Sequence, residues 1–147
     1  MMDLIREVRA VRAEVGVPAG AEVDLVLVSG EGSADLATLF APAIQRLARA
    51  ARVRHESGVR PPAGAARGVA GAVAFFLPVG GIVDWEVVRE RIHRDLGRAK
   101  TELAKLEGRL GTPQFRERAA PDVVAKVEEE AQALRARCAR LERYLAD

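Results

Sequence analysis

The sequence predicts an α+β protein: a small sheet with helices over residues 1–83, carrying a long antiparallel two-helix coiled-coil arm over residues 84–147. Short Val- and Leu-rich segments bounded by Gly and Pro, which are typical of buried strands, occur in the first part. In the second part, apolar residues alternate at spacings of three and four, as in a coiled coil. The two parts therefore differ in character, and the arm is expected to turn at about residues 111–121.

The first two elements are predicted to be a helix and a strand. Apolar residues recur at helical spacing over residues 3–15, and Gly16 can end that helix. The run EVDLVLVS at 22–29 is short and rich in Val and Leu, so we expect a buried strand there.

A second helix and a second strand are predicted to follow. The helix covers residues 34–50, with Ser33 as its N-cap and a kink or break at Pro42. RVRHE at 52–56 alternates in polarity and is predicted to form a strand, followed by a loop over 57–66.

The last segment of the first part, residues 67–79, fits either one bent strand or two short strands that meet near Gly71. Phe75 and Phe76 are adjacent, so they point to opposite faces of the sheet. We expect one ring in the core and the other against an arm helix. An exposed ring could instead stack on a base.

Two heptad runs define the arm and predict helices over residues 84–110 and 122–145. The first run consists of Trp85, Ile92, Leu96, Ala99, Leu103, Leu106 and Leu110. The second run consists of Val124, Val127, Ala131, Leu134, Cys138, Leu141 and Leu145.

The stretch between the runs carries the signals of a turn between helices. Gly111 can close the first helix in the left-handed conformation, and Asp122 can cap the second. Phe115 is expected to plug the open end of the apolar seam. Because the connection is short, the helices should be antiparallel neighbours. A rise of 1.5 Å per residue makes the first helix about 40 Å long, so we expect it to project from the small sheet.

Composition excludes several classes of function. The single cysteine, Cys138, rules out an internal disulfide framework and fits a reducing cytoplasm, and it occupies a seam position that favours burial over nucleophilic chemistry. His55 and His93 lack partners at ligand spacing, so we predict neither a metal nor a cofactor. No run of 18 apolar residues occurs, which argues against a membrane span. The net charge of +2 is too small to indicate nucleic acid, so the distribution of charge must decide.

Three stretches occur in order along the chain: IREVRAVRAEVGVPAG (5–20), LPVGGIVDWE (77–86) and LGTPQFRERAAPDVVAKVE (110–128). They resemble, in turn, the helix that closes the anticodon-binding bundle of valyl-tRNA synthetases, the entry to the C-terminal arm of that family, and the tip of the arm. The resemblance implies a C-terminal arm that packs on the outer corner of tRNA, where the D and T loops meet.

The catalytic signatures of that family are missing from this chain. With only two histidines there is no His-x-Gly-His, and no Lys-Met-Ser-Lys-Ser stretch occurs. We therefore expect a non-catalytic protein, either a fragment of a synthetase or a free-standing relative of its C-terminal region.

A basic stripe on the outer face of the first arm helix is the candidate tRNA-binding site. Small residues lie beside it, and since Gly costs a helix about 1 kcal/mol relative to Ala, they suggest a ligand that comes close to the backbone, such as a phosphate chain. An ordinary solvated charged face would also give this pattern. The second helix carries a diluted version of the stripe. The candidate residues are Arg91, Arg94, Arg98, Lys105, Arg140 and Arg143, and the small neighbours are Gly97, Ala104 and Gly108.

Two alternatives remain open. Arg6, Arg9 and Arg12 form a drifting stripe on the first helix, which ion pairs to Glu7 or Glu14 would explain equally well. The arm as a whole could also serve as a coiled-coil module that associates with another protein or with a second copy of itself.

Overall fold

The computed structural model describes residues 1–30 and 32–146, which form two compact units, one within residues 1–88 and the other within residues 89–146. A small mixed sheet together with helices confirms the predicted α+β class. The elements are α1 (Met2–Val15), β1 (Val23–Ser29), α2 (Ser33–Thr38), α3 (Ala41–Ala48), β2 (Ala50–His55), β3 (Ala65–Ala70), β4 (Val73–Pro78), α4 (Trp85–Leu110), α5 (Pro113–Arg118) and α6 (Pro121–Leu145).

The sheet has four strands in the order β2-β1-β4-β3. β1 and β2 are parallel, and a parallel pair needs a crossover connection, which α2 and α3 provide. β4 runs antiparallel to both of its neighbours. β3 and β4 form a hairpin whose turn includes Gly71, with φ of 59°. Of the two readings of residues 67–79, two short strands is therefore the correct one.

Both faces of the sheet carry buried side chains. Val26, Ala65 and Phe76 form a buried cluster on one face. Phe75 points to the other face and lies over Gly68, where a Cβ atom would come within 2.3 Å of the ring. Since Phe75 and Phe76 are only 2% and 4% exposed, neither ring can stack on a base, and the hypothesis of an exposed ring is wrong.

The predicted helix over residues 34–50 is two short helices. Pro42 lies in the first turn of α3, the one place where proline is tolerated, and the break predicted near it is confirmed. The prediction that Ser33 is an N-cap is wrong. Gly32, with φ of 80°, occupies the cap position, and Ser33 is the first helical residue and is buried.

In the second unit, α4 and α6 pack side by side in opposite directions. Ion pairs join Lys100 to Glu142 and Glu107 to Arg135, so seven residues forward along α4 correspond to seven residues back along α6. The pair buries a cluster of heptad residues drawn from both helices. That cluster consists of Leu106, Leu110, Val127 and Ala131, with Leu103, Phe115, Val124 and Leu134 partly buried against it. Supercoiling of the pair stays a prediction.

The connection between these helices is more structured than a turn. Gly111 is not left-handed: its N–H bonds to the Glu107 carbonyl at 2.8 Å and so continues α4. Thr112 is extended because it precedes a proline. The short helix α5 begins at that proline, Pro113. Phe115, on α5, packs against the end of the seam as predicted. The second helix begins one position earlier than expected, with Pro121 in its first turn and Ala120 as its cap.

Candidate nucleic-acid interface

Three long cations are exposed along the outer surface of α4. Arg94, Arg98 and Lys105 line a shallow depression together with Gly97, Thr101 and Glu102. We call this surface the open face. It lies on the side of α4 away from the buried seam, because the helix turns about 100° per residue and the seam residues occupy the opposite positions.

The backbone of α4 is accessible at the open face. Cβ atoms added at Gly97 and Gly108 would meet no atom within 4 Å, so packing inside the chain does not require glycine at either position. Thr101 donates its hydroxyl to the Gly97 carbonyl at 3.0 Å, which keeps that side chain folded against the helix. A ligand therefore meets little steric obstruction between the cations.

The opposite flank of the helix pair, which we call the paired flank, is closed by ion pairs. They join Lys100 to Glu142 at 3.1 Å, Arg135 to Glu107 at 3.2 Å and Arg116 to Glu128 at 3.3 Å. On the open face, by contrast, no carboxylate among residues 1–30 and 32–146 forms an ion pair with any of the three cations. Their charge is left to an external partner or to solvent.

The other candidate residues are less accessible. Arg91 is half-buried, unlike the three cations that follow it on α4. Arg140 is also half-buried, and its Nε donates to the hydroxyl of buried Tyr144 at 3.3 Å. Arg143 is half-buried near the end of α6. The structure thus gathers three of the six candidates on one exposed face and leaves the others more enclosed.

Comparison with known proteins identifies this helical region. Residues 84–147 match the family described as the valyl tRNA synthetase tRNA binding arm. Over a longer stretch, the chain is 34% identical to a valine–tRNA ligase of Agrobacterium fabrum, 35% to one of Carboxydothermus hydrogenoformans and 33% to one of Parasynechococcus marenigrum. The resemblance inferred from the sequence is therefore confirmed.

The chain is much shorter than these relatives. The matches cover 85%, 88% and 86% of this chain but only 13%, 15% and 14% of the respective ligases. The family match also concerns the arm, and not a catalytic domain. The name of the relatives describes a ligation reaction of the whole enzymes, of which this chain corresponds to a small part.

Arg137 is a further cation of the helix pair formed by α4 and α6 that the heptad analysis did not single out. It lines a small hollow between the helices with Arg98, Asp95 and Glu102. Arg137 directly precedes the seam residue Cys138, so heptad spacing alone gave no reason to choose it as a candidate contact. The structure brings Arg98 of α4 and Arg137 of α6 to the same hollow.

Arg116 is a second residue that the sequence pattern did not reveal. Its Nε donates to the Leu110 carbonyl at 2.6 Å, and its guanidinium pairs with Glu128. It therefore joins the end of α4, the short helix α5 and the start of α6. Nearby, the Arg109 guanidinium lies 4.7 Å from the centre of the Phe115 ring, within the range of a cation–π contact.

Among residues 1–30 and 32–146 no group of three potential metal ligands comes together. Cys138 is buried in the seam, as its heptad position predicts. None of the helices in this part of the chain has the length and apolar character needed to cross a membrane.

Proposed function

We propose that this chain is a non-catalytic tRNA-binding module whose arm docks on the outer corner of tRNA, where the D and T loops meet. One observation carries the proposal: the exposed cations of the open face have no ion-pair partner among the described residues, whereas those of the paired flank are neutralised within the arm. The match of residues 84–147 to the family described as the valyl tRNA synthetase tRNA binding arm supports the choice of tRNA.

The expected chemistry is recognition of the phosphate backbone. Arg94, Arg98 and Lys105 would replace counterions on neighbouring phosphates, which supplies affinity and register but little choice of sequence. Gly97 and Gly108 would let the RNA backbone approach the helix. The half-buried Arg91, Arg140 and Arg143 are proposed as secondary contacts at the margins of the same surface.

Several features support the absence of catalysis in this proposal. The family match covers the arm, and the printed sequence lacks both catalytic signatures of the synthetases. The ligase reaction named for the relatives would then reside in parts of those enzymes that this chain does not match. A cytoplasmic location follows from the proposed ligand.

The central test compares the two sides of the arm. Alanine at Arg94, Arg98 and Lys105 should lower the salt dependence of tRNA binding by about one unit of slope per lost phosphate contact. The matched control replaces Lys100, Arg116 and Arg135, which removes the same charge from the paired flank. Circular dichroism would confirm that both variants fold. Equal losses in the two folded variants would contradict the open face as the docking surface.

A second experiment concerns the site on the RNA. A tRNA with a disrupted contact between the D and T loops should bind more weakly, while a tRNA with an exchanged anticodon should bind as before. Phosphate contacts carry no direct base information, so valine tRNA should have little advantage over other elongator tRNAs. A larger loss from the anticodon exchange would mean that the arm docks elsewhere.

The rival function is association with a protein or with a second copy of the chain. Sedimentation of the free chain over a range of concentrations separates the two, since an apolar helix interface should persist at high salt and RNA binding should not. Concentration-dependent dimers, together with tRNA affinity that is insensitive to salt, would favour the rival.

A further inference from the structure

A second group of cations lies in the first unit, far along the sequence from the arm. Arg9 of α1 and Arg46 and Arg49 at the end of α3 are exposed and line one hollow of about 450 Å³. Val17 and Leu47 contribute apolar surface to it, and none of the described residues that line it is acidic. We call this feature the arginine hollow.

A fourth arginine also lines the hollow, but it is buried. Arg12 is only 7% exposed and donates hydrogen bonds to the carbonyls of Arg49, at 3.1 Å, of Pro18, at 3.3 Å, and of Ala21. These three acceptors are neutral, so they hold the guanidinium in place without cancelling its charge. Burial lowers the pKa of Arg12, and the positive charge of Arg49 lowers it further, which shows that the two cations repel each other. Of the stripe formed by Arg6, Arg9 and Arg12, only Arg12 is buried, and its hydrogen bonds support the fold.

Arg49 occupies a conformation that favours glycine. Its φ of 52° and ψ of 47° are left-handed, and among the described residues it is the only non-glycine residue with positive φ. This conformation costs roughly 1–2 kcal/mol for a residue with a Cβ atom. Glycine would end α3 with less strain, so the fold gives no reason for a cation at this position. Strain of this kind is concentrated at functional sites.

The cations of the hollow also lack internal partners. In the described ranges no carboxylate pairs with the side chains of Arg9, Arg46 or Arg49. Elsewhere in the same unit, exposed arginines do find carboxylates: Arg52 pairs with Asp24 at 2.9 Å and Arg54 with Glu56 at 2.8 Å. The unit therefore neutralises some of its surface cations and leaves those of the hollow available.

We propose that the arginine hollow binds phosphates of an RNA backbone and forms a second contact in addition to the open face of the arm. The inference rests on the proposed function for its choice of RNA. Guanidinium groups match phosphate oxygens through paired hydrogen bonds, and several of them facing one hollow suit an anion that carries more than one charge. A long polyanion has charges enough for both sets of cations, whereas a short acidic peptide or a free phosphate ion has enough for only one.

The test is tRNA binding by the full chain with two charges removed from the hollow. The variant combines Arg46→Ala with Arg49→Gly, because glycine suits the left-handed conformation and Arg46 is exposed on α3. Arg12 is kept, since its hydrogen bonds support the fold. The salt slope should fall by about two, and affinity at 0.1 M salt by roughly fiftyfold, as expected for two lost phosphate contacts. The control combines Arg6→Ala with Arg60→Ala, which removes two exposed cations of the same unit and should weaken binding by less than about threefold.

The outcomes separate this inference from the proposed function. The arm variant carries alanine at Arg94, Arg98 and Lys105. If it loses tRNA affinity while the hollow variant binds like its control, the inference is overturned and the proposed function stands. Loss in the hollow variant with normal binding in the arm variant would support the hollow and overturn the open face. If tRNA affinity falls in both variants, and falls further in a variant that combines the arm and hollow substitutions, the result supports both sites.

Two probes test the kind of anion. Polyglutamate and inorganic phosphate are titrated against the original chain and the hollow variant. If the variant loses affinity for either probe but keeps its affinity for tRNA, the hollow serves a peptide or a free ion, and the inference is wrong. Thermal melting monitored by circular dichroism verifies that the hollow variant folds, and Arg49→Gly is expected to leave the melting temperature unchanged or to raise it.

Discussion

The two sides of the helix pair carry the same types of residue and yet differ in what those residues do. On the paired flank, cations from α4, α5 and α6 meet glutamates within the arm. On the open face of α4, cations of the same kind stand beside glycines without an ion-pair partner among the described residues. The difference shows that a count of basic residues says little about binding. What matters is whether the fold itself has already neutralised each charge.

Ion pairs at the paired flank also carry structural information. Exposed pairs contribute little stability, with a median of about 0–1 kcal/mol, so their main effect here is on register and orientation. The pairs Lys100–Glu142 and Glu107–Arg135 can form together only if the helices are antiparallel and in one alignment. Cations of the open face place no such constraint on the fold and are free to serve a partner.

Charge reversal should produce the largest contrast between the two sides. Arg98→Glu should weaken tRNA binding by roughly a hundredfold at 0.1 M salt, because it removes one phosphate contact and adds a repulsion. Arg135→Glu places two acids together on the paired flank and should lower stability while tRNA affinity in the folded protein changes little. Filter binding at several salt concentrations measures the tRNA affinity of both variants. Similar losses of tRNA affinity in the two variants would show that the open face and the paired flank do not differ in tRNA binding.

Leu106→Ala tests the seam on which both sides depend. Leu106 belongs to the buried cluster but retains 9% exposure, so its truncation should cost about 2–3 kcal/mol, near the lower end of the range for core leucines. Urea unfolding gives the value. Val123→Ala is the control, since Val123 is an apolar residue of α6 with 43% exposure and should cost less than about 0.5 kcal/mol. If the two substitutions lowered the free energy of unfolding equally, Leu106 would not belong to the buried seam.

Arg116→Ala tests the end of the arm. The substitution leaves the Leu110 carbonyl and Glu128 without their guanidinium partner, so we expect a loss of about 1–2 kcal/mol in the free energy of unfolding. Arg118→Ala on the same short helix is the matched control, because its side chain has no hydrogen-bond or ion-pair partner in the described part of the chain. A loss in Arg118→Ala as large as in Arg116→Ala would show that charge, and not these contacts, stabilises the end.

Gly97→Ala separates folding from binding on the open face. Alanine fits there without contacts and should stabilise α4 by about 1 kcal/mol through its helix propensity. The added methyl group should nevertheless weaken tRNA binding if the RNA backbone comes close at this point. A more stable variant with unchanged affinity would show that the ligand keeps its distance from the helix.

The smallest effect is expected from an exchange of charges on the paired flank. Lys100→Glu combined with Glu142→Lys keeps the ion pair and the net charge, so stability should change by less than about 0.5 kcal/mol and tRNA affinity should be retained. Lys100→Glu alone leaves two acids together and serves as the control. A strong loss of binding in the exchanged pair would assign Lys100 to the interface.

Local periodicity predicts the long helices of this protein, but neither their ends nor its shortest helices. The spacing of Leu103, Leu106 and Leu110 predicts α4 because these residues are neighbours on one helix. Near the end of α6, the buried residue after Leu141 is Tyr144, while the predicted Leu145 is half-buried. A helix with 3.6 residues per turn drifts by about 20° per heptad against a repeat of 3.5, so position 144 can turn toward the seam as easily as position 145. The short helix α5 escaped notice because six residues are too few for a periodic signal.

The sequence by itself determined that cations and glycines share the outer face of α4, because that arrangement depends only on the turn of one helix. Only the tertiary structure decided which cations remain available. Glu107 and Arg135 are separated by 28 positions, and Arg12 and the Arg49 carbonyl by 37, so each contact depends on how distant segments pack. The same holds for the arginine hollow, which joins α1 to the end of α3. Charge in the sequence becomes a binding surface only where the packing of the chain leaves it without an internal partner.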